Sequence, residues 1–171
     1  MTKPAAPTPT SHSHRRRFGR AQQELVQDTY RLRAKPVEPT VCPQCSAVFQ
    51  DGRWRWGAKP AGAHEEKCPA CHRISDQHPA GLVTLHGDFV ASHEAEIRAL
   101  LRHQEEAEKR EHPLNRIMAI EREGDALVVK TTDIHLPRRI GDAVRHAFHG
   151  KLDSHYDEQG YFVRVNWRRE S

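Results

Sequence analysis

Apolar positions are sparse in the first half of this chain and regular in the second. Over residues 134–149, Leu136, Ile140, Ala143, Val144, Ala147 and Phe148 keep helical spacing, which predicts an amphipathic helix with one buried face. Asp133 stands where an N-cap would accept the first free amides, and Gly150 where a helix-ending glycine belongs. Before this helix, residues 117–122 and 126–131 read as strands joined at Gly124-Asp125. After it, residues 151–156 and 161–167 read as a hairpin turning near Gln159-Gly160. The predicted order is ββαββ, and residues 113–168 are expected to form a C-terminal α+β domain.

Upstream, residues 88–112 predict one long connecting helix. Its apolar stripe of Ile97, Leu100 and Leu101 is narrow and fades, while Glu94/Arg98, Glu105/Lys109 and Glu106/Arg110 make favourable i,i+4 pairs. Seven acidic and four basic residues lie between Asp88 and His112, so the second half is expected to project into solvent or bridge two modules until Pro113 ends it. Residues 46–56 predict a hairpin around Asp51-Gly52, with Arg53 and Arg55 on one face and Trp54 and Trp56 on the other. Residues 57–64 read as loop and 81–86 as a short strand, both placed within a ribbon segment at 21–87 that begins with a short helix over 21–35. Residues 1–20 carry three prolines and almost nothing to bury, which predicts a disordered arm.

Composition narrows the class. The 171 residues are 36% apolar and 29% charged, enough for small modules with modest cores. No stretch approaches the roughly 18 uninterrupted apolar residues of a membrane span. The N-terminus has no apolar core of a secretory signal, so a cytoplasmic, reducing setting is expected, where thiols serve as metal ligands more often than as disulfides. Residues 1–40 hold eight Lys and Arg against three Asp and Glu, a net +5 in a chain of +4 overall. A basic arm on a near-neutral body is an electrostatic footprint of nucleic-acid contact, although solubilising tails share it.

The strongest chemical signal is Cys42-Pro43-Gln44-Cys45, 22 intervening residues, then Cys68-Pro69-Ala70-Cys71. Zinc takes four ligands tetrahedrally, and each C-x-x-C loop can present two thiolates to one side of it. The predicted hairpin lets the chain leave and return between the pairs, giving a small four-cysteine zinc ribbon. Ser46 and His72 follow the second cysteine of each pair, where glycine would relieve backbone strain. Iron fits the same four-thiolate cage, whereas a dithiol redox site leaves one pair unexplained. Four thiolates fill the coordination shell, so the predicted role of zinc is structural.

Other patterns fall short of a site. His64-x-Glu66 abuts Lys67-Cys68 directly, too close for the zinc-deaminase arrangement. No phosphate loop, nucleophile elbow or dinucleotide fingerprint occurs, and neither catalytic residues nor a small-molecule substrate are expected. Candidate nucleic-acid contacts are Arg15, Arg16 and Arg17 in the arm, Arg53, Trp54 and Arg55 on the hairpin, and Arg138, Arg139 and Arg145 on the C-terminal helix. Trp54 and Trp56 could stack on bases or form the ribbon's core, and core is expected for at least one. The three helix arginines could equally be a solvated face.

The paired knuckles, the long helix leading to EHPLNRIMAI and the later TTDIHLPRRIGDAV segment resemble a widespread bacterial zinc-ribbon family. That family is similar in turn to the nonsense-mediated-decay-named adaptor that accompanies large ribosomal subunits in archaea and eukaryotes. The resemblance covers roughly residues 36–168 and carries over Cys42, Cys45, Cys68 and Cys71 as ligands, with Thr131–Ile140 matching a segment after the ribbon. It implies zinc binding and an RNA or ribosomal partner. The adaptor is longer, and its export signals have no counterpart here. The expected function is non-enzymatic RNA binding at the ribosome. The alternative is a zinc-stabilised protein-interaction adaptor using helix 93–112.

Overall fold

The computed structural model describes Tyr30 and residues 35–171. The arm with Arg15, Arg16 and Arg17, and all of the expected helix 21–35 except Tyr30 and Lys35, lie outside the described residues. The fold is α+β and holds two sheets. The first is built from β1 (Thr40–Val41), β2 (Val48–Gln50), β3 (Arg53–Arg55) and β4 (His64–Glu65), in the order β3-β2-β1-β4. Its hairpin turns where expected: Asp51 and Gly52 have φ of 51° and 76°, the two positive values that a tight I′ connection requires. Helix α1 (Pro69–Asp76) follows. Residues 57–63 are loop as expected, but His64 belongs to β4.

The second sheet comprises β5 (Gly81–His86), β6 (Ile117–Glu123), β7 (Ala126–Thr131), β8 (Lys151–Tyr156) and β9 (Val163–Arg168), in the order β6-β7-β5-β9-β8. Between β5 and β6 run α2 (Asp88–Ser92) and α3 (Glu94–Glu111), and α4 (Leu136–Phe148) joins β7 to β8. The helices cover one face. Leu136, Ile140 and Val144 of α4 and Ile97 and Leu101 of α3 pack on Val83, Leu85, Leu127, Val129, Val163, Val165 and Trp167 in one core. Helix and sheet approach closely at Gly141, where an added Cβ would lie 2.7 Å from Val165 and 2.9 Å from Leu152. The ββαββ order of 113–168 is as predicted.

Two expectations are corrected. The strand at 81–86 does not belong with the ribbon: β5 is the middle strand of the second sheet, antiparallel to β7 and parallel to β9. The reason lies in its pattern. Val83 and Leu85 on one face need a broad apolar partner, which ribbon strands of two and three residues cannot offer. The helix of 88–112 is also not one rod. It breaks at His93 (φ −122°, ψ 21°), whose ring stacks on Phe89 at 3.8 Å. Its second half stays against the protein, because Glu108, which reads as part of a solvated face, is buried beside Arg139 (2.6 Å) and Asn115 Nδ2 (3.1 Å).

Asp133 caps α4 as expected, its Oδ2 accepting the amides of His135 (2.7 Å) and Leu136 (3.0 Å). Burial pushes its carboxyl pKa above the usual range despite those two amides, the nearby Glu108 adding to the effect, and Oδ1 is buried without a partner among the described residues. A folded-state pKa above the unfolded value means that the native state holds the proton more tightly. This group's contribution to stability therefore falls as pH rises from the unfolded carboxyl range, about 3.9, through the folded value. Asp133→Ser keeps a capping oxygen and removes the charge. Its thermal stability is expected to exceed the parent's at neutral pH, with the difference vanishing in acid. Asp133→Ala, lacking the cap, should be ~1 kcal/mol less stable than the serine variant. Melting curves across acid and neutral pH measure both, and a serine variant no more stable than the parent at neutral pH contradicts the assignment.

Candidate metal centre

The first cysteine pair sits on the turn between β1 and β2. Cys42 donates its amide to Ala47 O (2.8 Å) and accepts that of Ser46 (2.9 Å), closing a knuckle in which Ser46 takes a φ of 64°. The strain anticipated after the second cysteine is therefore real at Ser46. It is absent at His72, because the second pair is not a matching knuckle but the start of α1. Cys68 is the N-cap, Pro69 occupies the first turn, and Cys68 Sγ accepts the Cys71 amide at 3.5 Å.

The pairs meet because β4 lies parallel to β1, with Val41 opposite Glu65. The residues that follow each strand emerge side by side, so the Cys68 amide points at Cys42 Sγ (3.3 Å). All four Sγ atoms fall within 4.8 Å of one another, with Cys45 and Cys68 at 3.7 Å. A Zn–S distance of about 2.3 Å in a tetrahedron places sulfurs about 3.8 Å apart. Cys42, Cys68 and Cys71 are buried and Cys45 is half-buried, and Trp54 and Leu114 pack against the cluster.

The electrostatics call for a cation. Burial pushes the Cys68 thiol up strongly, and the like charges of the other three sulfurs add to it. Cys71 is also raised, chiefly by burial. At Cys42 burial acts in the same direction, but amides of Cys68, Cys45 and Gln44 outweigh it and bring the pKa down to about 7. Four thiolates cannot share this volume without a compensating positive ion, and the donor set, spacing and burial suit a structural zinc. Zinc would be held by Cys42, Cys45, Cys68 and Cys71, with no position left for water.

Sequence reasoning missed one residue of this centre. Arg116, between α3 and β6, points its guanidinium at the cluster: Nη2 is 3.0 Å from Cys45 Sγ and 3.8 Å from Cys68 Sγ, and Nη1 is 3.4 Å from Cys71 Sγ. It is 7% exposed. Burial opposes its charge, but the sulfurs outweigh that and raise its pKa. The available signal was one arginine directly ahead of the apolar run Ile117–Ile120.

The candidate nucleic-acid residues among those described lie on β3 and α4. Arg53 is exposed, and its side chain has no hydrogen-bond or ion-pair partner among the described residues, whereas Arg55 is held by Asp51 and by Gln50 O (3.0 Å). Trp54 is half-buried, tilted against Phe49 at 5.5 Å and packed on the cysteines, which matches the expectation that one tryptophan is core. On α4, Arg139 pairs with Glu108, Arg145 with Asp142 (3.2 Å), and Arg138 donates to the Tyr156 hydroxyl (3.4 Å). Among the described residues no helix is long and apolar enough to cross a membrane. No family model matches this sequence, and neither a curated protein nor a solved structure is significantly similar to it.

Proposed function

We propose that this chain is a non-enzymatic, zinc-stabilised RNA-binding protein, with the ribosome as its expected site of action. The observation that carries the proposal is the uneven charge: residues 1–40 hold eight Lys and Arg against three Asp and Glu, next to a body close to neutral. Arg53 adds a cation on the hairpin, free of any acidic partner among the described residues. A coordination shell filled by four thiolates leaves the metal without a place for substrate, which favours a binding role over a reaction.

An adaptor working through the acidic helix has less behind it. Glu94 is bound by Arg98 and Arg122, Glu105 accepts the Ile117 amide, and Glu108 is buried with Arg139, so three of the helix acids serve the fold. Electrostatic RNA binding gives a measurable slope, with log K falling by ~0.7 per phosphate neutralised on single strands as log salt rises. Titration of fluorescent RNA at several salt concentrations is expected to show a steep slope that flattens when residues 1–20 are removed. Co-sedimentation with ribosomal subunits should then depend on the same arm. Absence of RNA binding at low salt defeats the proposal.

A further inference from the structure

A metal centre built only of thiolates carries excess negative charge. Zinc with four thiolates bears a net charge of about −2, and three of the four sulfurs here are withdrawn from water. The guanidinium of Arg116 meets three of these sulfurs. Its position is set by the other half of the molecule. Arg116 Nε donates to Pro113 O (2.6 Å), its amide to Thr132 Oγ1 (2.9 Å), and its carbonyl accepts the Thr132 amide (3.0 Å). Thr132 follows β7 directly, and its hydroxyl donates to Leu114 O (2.6 Å), so the guanidinium belongs rigidly to the second sheet.

We propose that Arg116 is the outer partner of the metal–thiolate centre, and that through it zinc binding and the seating of the second sheet on the ribbon form one linked equilibrium. Without the metal, nothing holds the four sulfurs together beneath the guanidinium, which favours lifting it off the ribbon. With zinc bound, the cluster is anionic and the guanidinium satisfies it. A second contact crosses the same boundary: Trp56, at the end of the hairpin, donates Nε1 to Lys109 O (2.6 Å) in α3, with its ring 5.8 Å from the Arg116 guanidinium. Linkage is reciprocal: zinc favours seating by the same factor by which seating favours zinc, so a change that loosens seating at Trp56 weakens zinc binding, although Trp56 is no ligand.

The test uses the full chain and zinc competition against a chromophoric chelator, with hydrogen exchange of residues 114–117 followed with and without metal. Arg116→Met is expected to lower zinc affinity 10–100-fold, the range for loss of a partner behind metal ligands, while Arg116→Lys restores only part because one ammonium cannot reach three sulfurs. Trp56→Phe removes the hydrogen bond to Lys109 and should weaken zinc severalfold in the parent but not in the Arg116→Met background. Zinc should slow exchange at 114–117 in the parent. Four outcomes overturn the proposal: a parent that binds no zinc, a methionine variant within twofold of the parent, a Trp56→Phe effect equal in both backgrounds, or exchange at 114–117 indifferent to metal. Should the methionine variant fail to fold, Arg116→Lys takes its place as the background, and a Trp56→Phe effect as large there as in the parent overturns the proposal.

Discussion

Cys68→Ser is expected to abolish metal binding and unfold residues 40–76 while the five-stranded sheet keeps its core. Serine is nearly isosteric, so the change tests chemistry rather than volume. Cys68 is at once a ligand, the cap of α1 and the acceptor of the Cys71 amide, and its own amide points at Cys42. The ribbon has little else: its strands are two or three residues long, and beside the cluster of Cys42, Cys68, Ala70 and Cys71 its buried apolar side chains are Val41, Ala47, Val48 and Phe49. Zinc in such a module contributes ~10–16 kcal/mol, more than so small an apolar cluster can replace. Elemental analysis should find no stoichiometric metal, and amide resonances of the ribbon should lose dispersion while those of β5, β7 and β9 persist. A serine variant with one bound zinc and an unchanged ribbon spectrum would falsify the assignment.

Trp167→Ala is the second large effect, and it falls on the other half of the molecule. Trp167 is fully buried, meets Phe89 edge-on at 6.1 Å, and donates Nε1 to His149 O at 2.6 Å. Removing it opens a cavity and leaves that carbonyl unpaired, at a cost of ~3–5 kcal/mol. For a chain of this size the melting point should drop by about 10 °C. Trp167→Phe keeps most of the buried surface and loses the donor, so a smaller loss of ~1–3 kcal/mol is expected. Denaturant unfolding followed by circular dichroism measures both. If alanine costs less than ~1 kcal/mol, the core is not centred where this indole lies.

Much of this fold can be read from local pattern. Asp51-Gly52 marks its hairpin because few pairs accept two positive φ values, and Leu136, Ile140 and Val144 mark α4 because no other spacing gathers them on one face. What local pattern cannot supply is partnership. GLVTLH announces a strand but not its sheet, and β5 pairs with residues about 45 and 80 positions later. The break at His93 and the burial of Glu108 likewise depend on what α3 packs against. The cysteine quartet was legible because its spacing is itself the chemistry. Arg116 was not, because its meaning comes from sulfurs 45 to 71 residues away in the chain.

The parallel pairing of β5 with β9 also orders events in time. As the chain is made, the central strand emerges roughly 80 residues ahead of its last neighbour, and every β-strand contact on that side must wait for it. Val83 and Leu85 therefore lie on a strand that is open along that edge from synthesis until β9 arrives, and its other edge is covered only once β7 pairs. A ribosome stalled before residue 163 would leave the middle of the sheet open along one side.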